Sequence, residues 1–313
     1  MSSRSLQKAY SISNVQYELY NARLIEDFER RYESSYEMEN DIDLDSFELI
    51  MTLGQGAFGR VILVVLEPDN VEYALKVLDK SQVVKYNQIK HVQSEIRILN
   101  AIQHANIIRM YSFFQDNSHL YVLLEYVHGG DLFSYLNRDR LFPEHITIFF
   151  AAQIVLVFEY LHLFNIIYRD LKPENILMDT HGYLKILIYE LNTGNPPFKG
   201  QSEDLLFKAI CRKRPPIRKK FSVDLKHIIL RLLQKNPTKR LGSSARGSTD
   251  VKEHLWFDEI DFDTLYTQQL PSPFYENVLR KSLSDYRREV LQRNENPLVI
   301  AEEDDYIEMF KDF

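Results

Sequence analysis

Three groups of residues in this 313-residue chain have types and spacings suited to holding phosphate. Gly54-Gln55-Gly56-Ala57-Phe58-Gly59 follows the pattern G-x-G-x-x-G, which serves either before a helix, cradling a dinucleotide, or at the tip of a hairpin. Here Arg60 leads into Val61-Ile62-Leu63-Val64-Val65-Leu66, whose crowded β-branched side chains favour a strand. The glycines therefore cap a hairpin, and a tip without Cβ atoms can lay backbone N–H groups against phosphate oxygens. Lys76 comes next, in Tyr73-Ala74-Leu75-Lys76-Val77-Leu78. Strand alternation puts Ala74 and Lys76 on one face, so a small residue can border a flat base while the ammonium reaches α- and β-phosphates. Glu95 follows beside Val92, Ile96 and Leu99, where it can face the sheet and hold Lys76. An arbitrary Lys and Glu are usually unrelated solvated charges, so this pairing draws its weight from its surroundings. The third group is Tyr168-Arg169-Asp170-Leu171-Lys172-Pro173-Glu174-Asn175. It sets a carboxylate (Asp170), a cation (Lys172) and an amide oxygen (Asn175) close together, groups that phosphoryl transfer can use.

The elements that must position these residues can be read from periodicity. Ser13 to Gln16 fits a capping box, and Val15, Leu19, Ala22, Ile25, Phe28 and Tyr32 then recur at helical spacing. Residues 1–46 are thus expected to form an amphipathic helix lying on the main body. Phe47 to Leu53, Val61 to Leu66 and Val71 to Leu78 read as an antiparallel meander. A helix with Val92, Ile96, Leu99 and Ile102 on its inner stripe follows, then a strand from His119 to Val127 that ends at Gly129-Gly130. From Asp131 the period is helical, apart from short strands at Asn175 to Met178 and Tyr183 to Ile186 around the turn from Asp179 to Gly182. Beyond Trp256 the sequence turns Pro-, Asp- and Glu-rich and ends in Met309-Phe310-Lys311-Asp312-Phe313, a tail. The expected divisions are 1–46, 47–128, 129–256 and 257–313.

At 45% hydrophobic and 27% charged, the chain has the composition of a folded globular protein. A single cysteine, Cys211, excludes an internal disulfide framework and points to a reducing compartment. The net charge of −7 argues against a nucleic-acid binder. Lys208 to Lys220 is locally basic, which suits a solvated face, with a docking patch for an acidic partner as the second reading. Ile146 to Tyr168 is apolar enough to raise a membrane span, but Gln153, Glu159, His162 and Asn165 interrupt it. Those residues are costly in hydrocarbon, so a buried core helix is expected and no membrane partner. The N-terminus has no apolar signal core, and Ser2 stands where myristoylation needs a glycine.

With these motifs in view, the chain resembles the cAMP-dependent protein kinases of the AGC group. LGQGAFGRV, YALKVLDK, LLEYVHGGDLFSYL, AAQIVLVFEYLH, YRDLKPEN, LIYELNTGNPPF, TKRLG and the terminal FKDF are similar to that family's segments in the same order. Tyr168 stands where His is usual. The resemblance implies an α+β, bilobal protein-kinase-like fold: a small antiparallel β lobe with one main helix, a mainly α large lobe, here incomplete, and ATP in the cleft. It implies transfer of the ATP γ-phosphoryl group to Ser or Thr, with Asp170 and Lys172 catalytic and Asn175 a ligand to Mg2+. Leu53, Gly54, Gly56, Gly59, Val61, Ala74, Lys76 and Glu95 would then hold ATP. Leu124 would be the gatekeeper, Glu125 and Val127 the hinge to adenine, and Asp131 a ribose contact. Asp131, Glu174, Glu190 and Tyr286 fall where the family reads arginines upstream of the phosphoacceptor, so substrates with upstream Arg or Lys are implied. A cAMP-binding regulatory subunit, a pseudosubstrate inhibitor, and a cytoplasmic and nuclear location are implied in the same way.

One stretch departs from the family. After Gly182-Tyr183-Leu184-Lys185-Ile186 the pattern calls for an Asp-Phe-Gly turn, an activation loop and an Ala-Pro-Glu sequence, and neither tripeptide occurs in the chain. Ile186 is followed at once by Leu187-Ile188-Tyr189-Glu190, which resembles the end of a later helix, so roughly forty-five residues are absent relative to the pattern. The expected losses are the main carboxylate for Mg2+, the peptide platform, and the partners of Arg169 and Arg240. Leu283-Ser284-Asp285-Tyr286 also stands where Phe-Asp-Asp-Tyr is expected, and no Ser or Thr follows Ser284. Phe310 and Phe313 are candidates to plug a pocket on the small lobe. Three readings stay open: an ATP-binding kinase with strongly impaired transfer, a pseudokinase-like binding module, and an active kinase whose 186/187 junction comes from exon skipping or a gene-model error.

Overall fold

The computed structural model describes residues 3–34, 42–68, 70–168, 171–187, 220–278 and 298–311, with side chains from residue 18 onward. They fall into two compact units. Among the described residues, one contains those up to His104, Ile108–Tyr126 and 298–311, and the other contains Ala105–Ile107 and the rest from Val127 to 278.

The first unit is built on β1 (Phe47–Gly56), β2 (Gly59–Leu66), β3 (Val71–Asp79), β4 (Met110–Gln115) and β5 (His119–Glu125). These pair antiparallel in the order β1-β2-β3-β5-β4. Unbroken apolar runs such as that of β2 are what a sheet covered on both faces requires. On one face Ile62, Val64, Leu75, Val77, Tyr121 and Leu123 form a core, and on the other Ile50, Met51, Leu63 and Val65 form a second. After β3, Asp79 caps α2 (Lys80–Lys85) by accepting from the Gln82 N–H at 3.2 Å. Next, α3 (Ile89–Ala101) buries Val92, Glu95, Ile96 and Leu99.

The N-terminal helix α1 runs over Ser3–Glu33. It begins at Ser3, so Ser13 to Gln16 lies inside it and is not its cap, which corrects the sequence expectation. No glycine or proline interrupts 3–33, and nothing else there stops the helix. Among its described side chains, from residue 18 onward, those toward the C-terminal end are the seated ones. Phe28 is buried and Ile25 and Tyr32 are half-buried, but Leu19 and Ala22 are exposed. The Arg31 Nε–H donates to the Ala101 carbonyl at 2.8 Å and the Asn100 amide donates to the Arg31 carbonyl at 3.2 Å.

The segment 298–311 packs on this same sheet unit. Phe310 is fully buried, with Lys80 Nζ 5.5 Å from its ring centroid and its carbonyl accepting from the Gln115 amide at 3.1 Å. Lys80, itself without solvent exposure, pairs with Asp304 at 2.6 Å. The plug expected of Phe310 is therefore present; Phe313 lies outside the described residues.

The second unit contains α4 (Leu132–Asp139), α5 (Glu144–Leu163), the hairpin β6 (Ile176–Met178) with β7 (Leu184–Ile186), α6 (Val223–Leu232), α7 (Ser248–Lys252) and α8 (Phe262–Tyr266). By length and composition α5 could cross a bilayer, yet Phe149, Phe150, Ala152 and Leu156 sit in a core with Trp256, Phe257, Leu265, Phe274 and Val278. Two polar residues that interrupt its apolar run have partners. Gln153, fully buried, accepts from the Leu184 N–H at 2.8 Å and from the Asn106 amide at 2.9 Å. Glu159 binds Lys252 Nζ at 2.6 Å and the Ser248 hydroxyl at 2.8 Å. Burying an amide is tolerable only with such partners.

Candidate active site

In the sheet unit, strand register decides which candidate residues meet. Lys76 pairs with Val61 across one ladder and Val122 across the other, and Ala74 pairs with Leu124. Directly opposed residues point to the same face, so Val61, Ala74, Lys76 and Leu124 share one face of the sheet. Glu95 reaches Lys76 from α3: Lys76 Nζ lies 2.6 Å from Glu95 Oε1, with side chains only 6% and 8% exposed. The pair anticipated from sequence is formed and buried.

The glycine pattern caps the β1–β2 hairpin. Gly54 pairs with Val61 and Gly56 with Gly59. A Cβ on Gly59 would lie 1.8 Å from the Val77 carbonyl oxygen, so no side chain fits there, whereas Gly54 faces open space. Leu53 sits at the irregularity between Thr52 and Gly54 and is 38% exposed. Glu125 bends back on its own unit, with Oε2 accepting from the Arg109 N–H at 3.2 Å.

In the helical unit, Val127 is buried and Asp131 caps α4. Its two carboxylate oxygens accept from the Ser134 N–H and hydroxyl, each at 2.8 Å. This capping task was not anticipated. The signal was present, since Asp directly before an apolar helical run is an N-cap pattern. Lys172 precedes a short 3-10 turn, Pro173–Asn175, in which Glu174 is exposed and Asn175 buried. The backbone around it is tightly specified. The Gly129 N–H donates to the Met178 carbonyl at 2.9 Å, the Met178 N–H to Gly130 at 2.8 Å and the Leu187 N–H to Asn175 at 2.9 Å. The buried Tyr168 hydroxyl donates to the Leu187 carbonyl, a contact that sequence reasoning missed. Asp170, Glu190 and Tyr286 lie outside the described residues.

The sheet unit's groups suit a nucleotide triphosphate: a fixed ammonium, a bare glycine backbone that offers N–H donors, and the small Ala74 beside Leu124 for a flat ring. Asn175 suits a divalent cation as one oxygen ligand. Among the described residues no cluster of three or more His, Cys, Asp or Glu side chains accompanies it, and a hard cation takes several oxygen ligands.

Comparison with known proteins gives a consistent picture. Residues 47–187 match the protein kinase domain family. Cyclic-AMP-dependent protein kinase type 3 of Saccharomyces cerevisiae is 32% identical, over 86% of this chain and 79% of that protein. A Caenorhabditis elegans protein named cAMP-dependent protein kinase, catalytic subunit-like is 33% identical over 73% of this chain and 69% of its own length. The cAMP-dependent protein kinase catalytic subunit of Dictyostelium discoideum is 34% identical over 86% of this chain, which spans 49% of that relative's length.

Proposed function

This chain belongs to the protein kinase family, with the cAMP-dependent kinases of the AGC group, and from that membership we propose that it binds ATP but transfers phosphate poorly or not at all. The observation that carries the ATP half is the buried Lys76–Glu95 pair on the sheet face shared by Val61, Ala74 and Leu124. ATP, when bound, supplies the γ-phosphoryl group. Lys76 holds its phosphates, the glycine hairpin adds backbone donors, and Glu95 fixes the ammonium. Asp170 orients a substrate hydroxyl and Lys172 offsets charge on the transferring group. The impairment follows from chain composition: no Asp-Phe-Gly follows Ile186, so Mg2+ has Asn175 but lacks its main carboxylate. Since phosphoryl transfer depends on positioning and charge neutralisation, that loss costs several powers of ten in rate.

The substrate reading is a Ser or Thr peptide with upstream Arg or Lys. Exposed Glu174 supports it; Asp131 contributes less, because both its oxygens already serve Ser134. A cAMP-binding regulatory subunit and a pseudosubstrate inhibitor are the proposed partners, in the cytoplasm and nucleus. A second reading concerns origin. Leu187-Ile188-Tyr189-Glu190, whose sequence resembles the end of a later family helix, follows directly where β7 ends at Ile186, as a skipped exon or a gene-model error in an active kinase would leave it. Sequencing the transcript across those codons decides between the two.

The binding reading is tested by thermal unfolding with ATP. At a hundredfold excess over Kd, ATP should add about 2.7 kcal/mol of stability, and Lys76→Ala should remove that gain. Absence of any ATP-dependent shift overturns it. Turnover on an Arg-containing Ser peptide that Asp170→Asn abolishes would overturn the impairment.

A further inference from the structure

We propose that Tyr86 is a positioning residue for the phosphate loop, pinning the tip of the glycine hairpin through Phe58. The proposal rests on the ATP reading above and adds a device to it. Phe58 stands at the hairpin tip between Gly56 and Gly59, where an aromatic ring would ordinarily be solvated. Instead it is only 9% exposed. Its ring meets that of Tyr86 edge to face, with centroids 5.6 Å apart and planes at 75°. Tyr86 itself is 54% exposed, so it is not a core residue that happens to touch the loop. Lys85 Nζ lies 5.6 Å from the Tyr86 ring centroid, which gives the ring a second contact.

The backbone makes the same connection. The Phe58 carbonyl accepts from the Asp79 N–H at 2.9 Å, tying the tip to the end of β3, the strand that carries Lys76. Tyr86 closes α2, donating its N–H to the Gln82 carbonyl at 3.0 Å, and the left-handed Asn87 (φ 54°) then turns the chain toward α3 and Glu95. The tip is thus fixed at two points, one to β3 and one to the connection between α2 and α3.

The consequence concerns order. Glycines lose more conformational freedom on ordering than any other residue, so an unrestrained Gly54–Gly59 loop would lose that freedom each time it closed on phosphate. A loop already held by Phe58 and Tyr86 has lost much of it beforehand, and pre-organisation of this kind appears as affinity. The effect should be specific to ligands that carry phosphates, since the ring contact lies at the tip and not beside Ala74 or Leu124.

The test compares ATP with adenosine on the full chain by calorimetric titration. Tyr86→Ala should weaken ATP by about two- to tenfold, the worth of one aromatic pair, and leave adenosine binding unchanged, with at most a small drop in the nucleotide-free melting temperature. Tyr86→Phe should bind ATP as the unmutated chain does. In a Phe58→Ala background, Tyr86→Ala should have no further effect, because the pair is already broken. An equal loss for ATP and adenosine, an unchanged ATP affinity, or tighter ATP binding in Tyr86→Ala each overturns the proposal while leaving the ATP reading intact. If the unmutated chain binds neither ligand, both fall together.

Discussion

Lys76 and Glu95 lose most of their water in the folded state, each side chain being under a tenth exposed. Their pairing offsets that desolvation, and removing one partner of a buried pair is strongly destabilising. Glu95→Ala should therefore cost about 3 kcal/mol of stability. The apolar double variant Lys76→Met/Glu95→Leu should recover most of that loss and still show no ATP-dependent stabilisation. Urea denaturation with and without ATP checks both; a Glu95→Ala chain as stable as the unmutated one would mean the pair carries no such energy. This contact was legible because strand alternation fixed the face of Lys76, and the Val92, Ile96 and Leu99 stripe fixed that of Glu95. The task of Asp131 was less legible. Family likeness assigned it to ligands, while Ser134, three residues on, takes both its oxygens.

At the scale of elements, the starts of α5 and α6 are joined through side chains that respond to acid. Glu144, in the first turn of α5, accepts from the Trp256 indole N–H at 3.0 Å and from the hydroxyl of Ser222, which caps α6. Burial raises the pKa of Glu144, but hydrogen bonds from Ser222 and Trp256 outweigh it and leave the pKa below its ordinary 4.5. His254 caps the turn at Leu255–Phe257, with Nδ1 accepting from the Trp256 N–H at 3.1 Å, and its Nε2 lies 2.7 Å from His227 Nδ1. Burial first, then His227, lowers the pKa of His254 below 6.5; Arg231 adds to this and Asp224 opposes it. Both folded-state pKa values lie below their unfolded ones, so both contributions are full above the unfolded pKa and fade as pH falls. The helical unit should lose stability first below about pH 6.5, as His254 protonates, and again below about pH 4.5, as Glu144 does. His254→Asn keeps a capping oxygen and should remove the first step. Melting curves from pH 8 to 4 test this, and a first step that survives the substitution would place its origin elsewhere. The bonds of Glu144 to Ser222 and Trp256 and the His227–His254 contact were not legible in sequence, because their partners are far apart along the chain. By contrast, α3 and the strands other than β4, which the sequence reading missed, could be read from periodicity. The start of α1 was misplaced because a capping box also fits inside a helix.

The molecule as a whole has separate apolar cores in its two units, the sheet unit around Leu75 and Tyr121 and the helical unit around Phe150 and Phe274. The family was legible from ordered motifs, and so was the break after Ile186. How the chain continues was not, because Leu184-Lys185-Ile186-Leu187-Ile188-Tyr189-Glu190-Leu191 suits a strand and a helix alike. The fixed point is Leu187, held by Asn175 and Tyr168. Two cores with their own packing predict two unfolding transitions that can be perturbed one at a time, because substitutions without shared partners act additively. Phe310→Ala removes a fully buried ring from the sheet unit, where such a truncation costs about 3–5 kcal/mol. It should lower the same transition that ATP raises and leave the acid-sensitive one in place, while a shift from pH 7.5 to 5.5 should do the reverse. Scanning calorimetry of the four combinations reads this directly. A single transition that moves with both perturbations would show that the two cores unfold as one.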